Sequence, residues 1–163
     1  MTKGGAETEA VLRSAIREND AHAHHVVRSR GLTASFFPLT EPALGRLTDE
    51  QVGYVDQLIY RFSKMQDSLG MRLLPALYRL LEGDDEPRPF LDILNRLERL
   101  DVLTVDNWQT FRNLRNQLAH EYPDRREQTV QTLNVLYADM DAFLELYQKV
   151  RAVVSGRLHD IGR

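Results

Sequence analysis

Hydrophobic residues recur every three or four positions along most of this chain, the spacing of a buried helical stripe. The clearest run is Val52, Val55, Leu58, Ile59, Phe62, Met65, Leu69, Leu73, Leu77 and Leu80. It predicts one long helix to about Glu82, started by Thr48 and Gln51 at capping-box spacing and stopped by Gly83. Pro75 lacks an N–H and clashes with the preceding turn, so a kink is expected near Met71, just after Gly70. An earlier helix is expected from Glu7 to about Arg30, with Val11, Leu12, Ala15 and Ile16 apolar at its start. Between the two, Gly31 to Leu47 holds Pro38, Pro42 and Gly45 and reads as a connection, with Phe36 and Phe37 plugging the core from a loop.

Beyond Gly83 the acidic run Asp84, Asp85 and Glu86 reads as a solvated turn. Phe90, Ile93, Leu94, Leu97 and Leu100 predict a short helix. Thr104 or Asp106 then caps another, with Trp108, Phe111, Leu114 and Leu118 inward. Pro123 ends it, because the residue before a proline is pushed out of the α region. Asp124 and Glu127 repeat the capping spacing, and Val130, Leu133, Leu136, Met140, Phe143, Leu144, Tyr147 and Val150 mark a last helix. Residues 157–163, after Ser155 and Gly156, are expected to fray. No period-two alternation competes. The expectation is an all-α, up-and-down bundle of about five helices, forming one domain over residues 1–163.

Composition adds limits. The 163 residues are 42% hydrophobic and 28% charged, ordinary for a globular chain large enough for a real core. Cysteine is absent, which excludes disulfides and thiolate metal sites. The opening MTKGGAETEA carries glutamates where a secretory leader needs an apolar run, and no stretch has the length of a membrane span. A cytoplasmic protein with no membrane partner is expected. The net charge of −3 argues against binding nucleic acid by a global basic field, so any such contact must be local. His22 and His25 share a helical face, but no Asp, Glu or Cys partner stands out, and no metal or other cofactor is expected.

The chemistry concentrates in Phe111 to Asp124, FRNLRNQLAHEYPD. Arg115 offers a fixed, planar positive fork and His120 a proton carrier near neutral pH. Phosphodiester chemistry needs both. On one straight helix the two would stand about 500° apart, or about 140° after a full turn, and so on different faces. They converge only if the helix ends between them or a second chain completes the site. Arg112, Arg125 and Arg126 add local positive charge, diluted by Glu121, Asp124 and Glu127.

The string Arg115-Asn116-x-Leu118-Ala119-His120-x-Tyr122 resembles the R-x4-H-x-Y motif of HEPN domains, in the subgroup of HepT-like toxins. Loose similarity extends from about Asp49 to Val154, and residues 105–154 bear the motif. The resemblance implies a metal-independent endoribonuclease of a toxin–antitoxin pair, acting on RNA as a homodimer. It makes Arg115 and His120 catalytic and Asn116 supporting. It makes Tyr122 the residue to which a partner minimal nucleotidyltransferase, the antitoxin, attaches AMP. Asp67 lies opposite the apolar stripe of its helix, where charge is ordinarily solvated. Similar proteins carry an acidic residue on the corresponding helix, so Asp67 is a supporting candidate to orient Arg115. The alternative from a different class is a non-catalytic, nucleotide- or phosphate-binding partner subunit of a small nucleotidyltransferase. In that case Arg115 and His120 bind without cutting.

Overall fold

Pro75 shapes the second of three long helices. A computed structural model describes residues 3–120 and 124–161. In it helix α1 is Lys3–Thr33, α2 the short turn Glu41–Leu44, and α3 the rod over residues 49–82. Helix α4 is Phe90–Arg99, α5 Val105–Leu118 and α6 Arg126–Ile161. The described residues are all-helical, without strands, so the expected all-α bundle is the observed class. The added α2 lies in the connection, where Thr40 accepts a hydrogen bond from the Ala43 N–H and Pro42 sits in the first turn.

The capping box that opens α3 is formed both ways: the Gln51 N–H donates to Thr48 Oγ1 at 3.1 Å, and the Thr48 N–H to Gln51 Oε1 at 3.0 Å. Within α3, where a kink is expected, the rod carries a π turn over Leu69–Leu73, in which the Leu74 N–H reaches back to the Leu69 carbonyl. Proline at 75 has no N–H for an i−4 carbonyl, and the wider turn absorbs that missing bond without ending the rod. Gly83 then closes α3 at φ 63°, a left-handed conformation that glycine adopts without strain.

Helix α1 packs along α3, and α5 and α6 close the bundle around Phe62, Met65, Trp108, Phe111, Met140 and Phe143. Asn19, fully buried, ties α1 to α3 through Ser68 Oγ at 3.0 Å. Asp20 ties α1 to α6: it receives Arg151 Nε at 2.8 Å and the Tyr147 hydroxyl at 2.7 Å. The Arg151 hydrogen bond holds the Asp20 carboxyl below its usual range despite burial. Burial, then the same carboxylate, pushes the Tyr147 phenol up. A second apolar cluster joins Phe37, Leu39, Val55, Val130 and Leu133. Phe37 stacks on Tyr137 there, with centroids 4.8 Å apart.

Four sequence expectations change. Residues 157–161 continue α6 rather than fray, because Val154 and Leu158 both pack into the core. Helix α6 starts at Arg126, one residue later than an Asp124 cap requires. In the acidic turn Asp85 and Glu86 are exposed as expected, but Asp84 is drawn in, accepting from the Glu86 N–H, from Arg88 Nε and from the Tyr78 hydroxyl. His22 does have an acidic neighbour, Glu18 at 3.7 Å one turn earlier, and it also meets Arg61 Nη1 at 3.2 Å. Burial and then Arg61 hold its imidazole below the usual histidine range.

Gly70 sits inside the π turn, where a Cβ would come within 2.9 Å of Trp108 Cζ2. Trp108 is 1% exposed and is held edge-to-face by Phe90 at 5.7 Å, so it has no room to yield. Gly70→Ala should therefore destabilise the fold, with overpacking of about 1–3 kcal/mol outweighing the ~1 kcal/mol gained in helix propensity. At Gly53, on the same rod, nothing lies within 4 Å, and Gly53→Ala should stabilise by up to ~1 kcal/mol. Urea unfolding of the two variants checks the opposite signs.

Candidate functional site

Arg115 lies in the last turns of α5, a helix capped by Thr104, whose Oγ1 accepts the Asn107 N–H at 3.1 Å. Burial of Trp108, Phe111 and Leu114 fixes which face of α5 looks inward. Arg115 is left on the edge that runs beside α3. There its Nε donates to Asp67 Oδ1 and its Nη2 to Asp67 Oδ2, both at 3.0 Å. Two parallel bonds make a fork-to-fork pair, the geometry in which arginine is held most rigidly. The pair is only about one-third exposed on either side, 32% for Arg115 and 38% for Asp67. The Asp67 bond pushes the guanidinium pKa up, so Arg115 keeps its charge throughout the accessible pH range. Asp67 is thus not a solvated charge opposite a stripe. The neighbour that covers it, α5, comes from 48 residues away in the chain.

Helix α5 stops just past Arg115. The Ala119 N–H still reaches the Arg115 carbonyl at 3.1 Å, and the His120 N–H turns in to the Gln117 carbonyl at 3.3 Å. His120 therefore follows the end of the helix, and its residue is exposed. This is the break between Arg115 and His120 that the helical angle requires. Tyr122 lies outside the described residues, as do Glu121 and Pro123.

Two cavities flank this segment. Arg115, Asn116 and Asp67 line one of about 650 Å³, between α3, α4, α5 and the 83–89 loop. His120 lines the other, about 490 Å³ and walled by Leu44, Val52, Val55, Ile59, Leu118 and Leu133. Val52, placed by its spacing in the core stripe, is instead 42% exposed at this second cavity. The fold thus joins Arg115, Asn116 and Asp67 but does not place His120 in the same cavity of one chain. Sequence reasoning did not single out Arg79, Tyr78 or Phe90 as cavity residues. Their signal was available in part: Asp67, Met71, Pro75, Tyr78 and Arg79 recur at helical spacing on one side of α3.

Among the described residues, no group of three or more His, Asp or Glu side chains gathers as a metal-ligand set, and no helix is long and apolar enough to cross a membrane. No family model matches the chain, and neither does any curated protein or solved structure.

Asp67→Asn keeps the shape of the acceptor but removes its charge and half of the fork. Because the pair is partly exposed, stability should change by only ~0–1 kcal/mol. Any phosphodiester cleavage that depends on Arg115 should fall about 10²-fold, the usual effect of a misplaced catalytic group. Urea unfolding and a labelled-RNA assay on the same preparation check the two halves.

Proposed function

We propose that the chain is a metal-independent endoribonuclease toxin of the HEPN type, acting in the cytoplasm as one half of a toxin–antitoxin pair. The observation that carries this reading is the Asp67–Arg115 fork. It engages two of the five N–H donors of a guanidinium and leaves the outer edge of that charge for an anion at a cavity mouth. In the reaction the 2′-oxygen of a ribose attacks the neighbouring phosphorus. A P–O bond forms at the 2′-oxygen, the bond to the 5′-oxygen breaks, and the products are a 2′,3′-cyclic phosphate and a 5′-hydroxyl. One proton leaves the 2′-hydroxyl and one reaches the 5′-oxygen. His120 moves one of them. Arg115 offsets the charge that builds on the phosphoryl oxygens, and one such donor is commonly worth about 2.7–4 kcal/mol. Asn116 supports substrate or arginine from the same turn.

One finding favours a second reading: Arg115 and His120 open into different cavities. Either a second copy of the chain, related by a two-fold axis, completes the site, or the chain is a phosphate-binding partner subunit that does not cut. Labelled single-stranded RNA incubated with the pure chain in EDTA separates these. Cleavage that drops at least about 10²-fold in His120→Ala supports the enzyme. RNA binding without cleavage by the unmodified wild type supports the binding subunit. Light scattering on the active preparation should give a dimer, and an active monomer would contradict the two-fold site.

The same reading makes Tyr122 the control point. Its phenol oxygen takes AMP from ATP through the partner nucleotidyltransferase, with pyrophosphate leaving. The added negative charge lies within a few residues of Arg115 and His120 and competes with the RNA phosphate. Co-expression with a minimal nucleotidyltransferase should raise the intact mass of the wild type by one adenylate and leave Tyr122→Phe unchanged. An equal gain in both would exclude Tyr122 as the acceptor.

A further inference from the structure

The larger cavity is built from two helical stripes. On α3 residues 67, 71, 75 and 79 recur every four positions, and on α5 residues 108, 112 and 116 do the same. Facing stripes on packed helices leave a slot, and the 83–89 loop and Phe90 close one side of it. Its volume of about 650 Å³ lies in the range of small-ligand sites, roughly 300–1,000 Å³.

The lining is divided in character. Tyr78 and Phe90 form an aromatic wall, with Trp108 packed behind Phe90. Arg79, Arg112 and Arg115 supply positive charge. Their partners differ. Arg115 is held by Asp67, and Arg88, at the same cavity, is held by Asp84. Arg79 is only partly exposed, and its buried Nε has no hydrogen-bond partner among the described residues. Arg112 makes no ion pair with any described residue. The buried Nε1–H of Trp108 is likewise without an acceptor. A charged group taken from water without a partner is costly, and that cost falls on the partly buried Arg79; with the exposed, unpaired Arg112 beside it, the slot favours an anionic ligand.

Asp85 and Glu86 line the same cavity. They disfavour a dianion more than a monoanion, and so disfavour a terminal phosphate more than a phosphodiester. An aromatic wall beside unpartnered arginines is the combination that holds single-stranded nucleic acid, where bases stack and the backbone pairs with guanidinium.

We propose that this cavity is a nucleotide subsite, binding one nucleoside phosphate unit with its phosphate on Arg79 and Arg112 and its base against Tyr78 and Phe90. The unit is one residue of an RNA strand, next to the phosphate at Arg115. In that form the inference rests on the ribonuclease reading above and names the substrate class as unstructured RNA with an unstacked base. The same chemistry in a free nucleotide is the other source of such a ligand.

Trp108 is the chain's one tryptophan, so its fluorescence reports on this cavity alone. The full-length chain is titrated with 2′-O-methyl tetra-adenylate, which cannot undergo 2′-attack, and separately with AMP and with inorganic phosphate. The strand should shift the Trp108 emission saturably, and inorganic phosphate should not. Arg79→Gln and Arg112→Gln should each weaken strand binding about tenfold or more. Their thermal midpoints should stay level or rise, since neither side chain has a partner to lose. His120→Ala should titrate like the wild type. AMP saturating as tightly as the strand assigns the subsite to a free nucleotide and overturns the strand form. No shift with any probe, or both arginine variants binding like the wild type, overturns the subsite itself. Cleavage in EDTA is scored separately: a chain that binds the strand but never cuts loses the ribonuclease reading and keeps the subsite.

Discussion

The contact between Gly70 and Trp108 fixes where α5 lies. The indole reaches the α3 backbone only because residue 70 has no side chain, and the π turn ahead of Pro75 holds that glycine in place. With Trp108 seated at one end and Leu114 buried further along, α5 lies against α3 in one register. Arg115 then falls beside Asp67, and Arg112 faces the slot below Arg79. A different turn at residues 69–73 would rotate the second half of α3 relative to the first and separate both pairings. π turns recur at functional sites for this reason: they realign one face of a helix without ending it.

Electrostatics then divides the arginines by task. Arg115 is oriented by a bidentate carboxylate that spends only one edge of the fork. Arg79 and Arg112 carry the positive charge that the fold leaves uncompensated. An acidic chain can therefore present a local anion site without a basic surface, as the net charge of −3 demands. His120, past the end of α5, faces an apolar cavity on the other side of the segment. That separation is the physical reason a second copy of the chain enters the proposed mechanism.

Much of the frame was legible because it rests on local rules. Thr48 with Gln51, Gly83, Pro75 and the inward run of Trp108, Phe111 and Leu114 each act within a turn or two of their own position. The misreadings involve partners distant in the chain. Asp67 looked solvated on its own helix and was a candidate partner of Arg115 only through the resemblance; the approach of α5 pairs the two. The end of α6 looked frayed after Gly156 because the stripe that buries Leu158 is short. The motif residues of the site could be named from the string around Arg115. Their division between two cavities could not, since it depends on the exact end of α5 and on which neighbours line each side.

Arg115→Lys tests the central claim most directly, that the geometry of the fork and not merely its charge serves RNA phosphodiester chemistry. Lysine keeps the positive charge but cannot bind Asp67 in a bidentate fashion while presenting a second edge to phosphate. The account predicts that cleavage of labelled RNA in EDTA falls at least about 10²-fold, while urea unfolding shows a loss of no more than ~1 kcal/mol. Cleavage equal to the wild type, or a loss of cleavage matched by loss of the folded state, would contradict it.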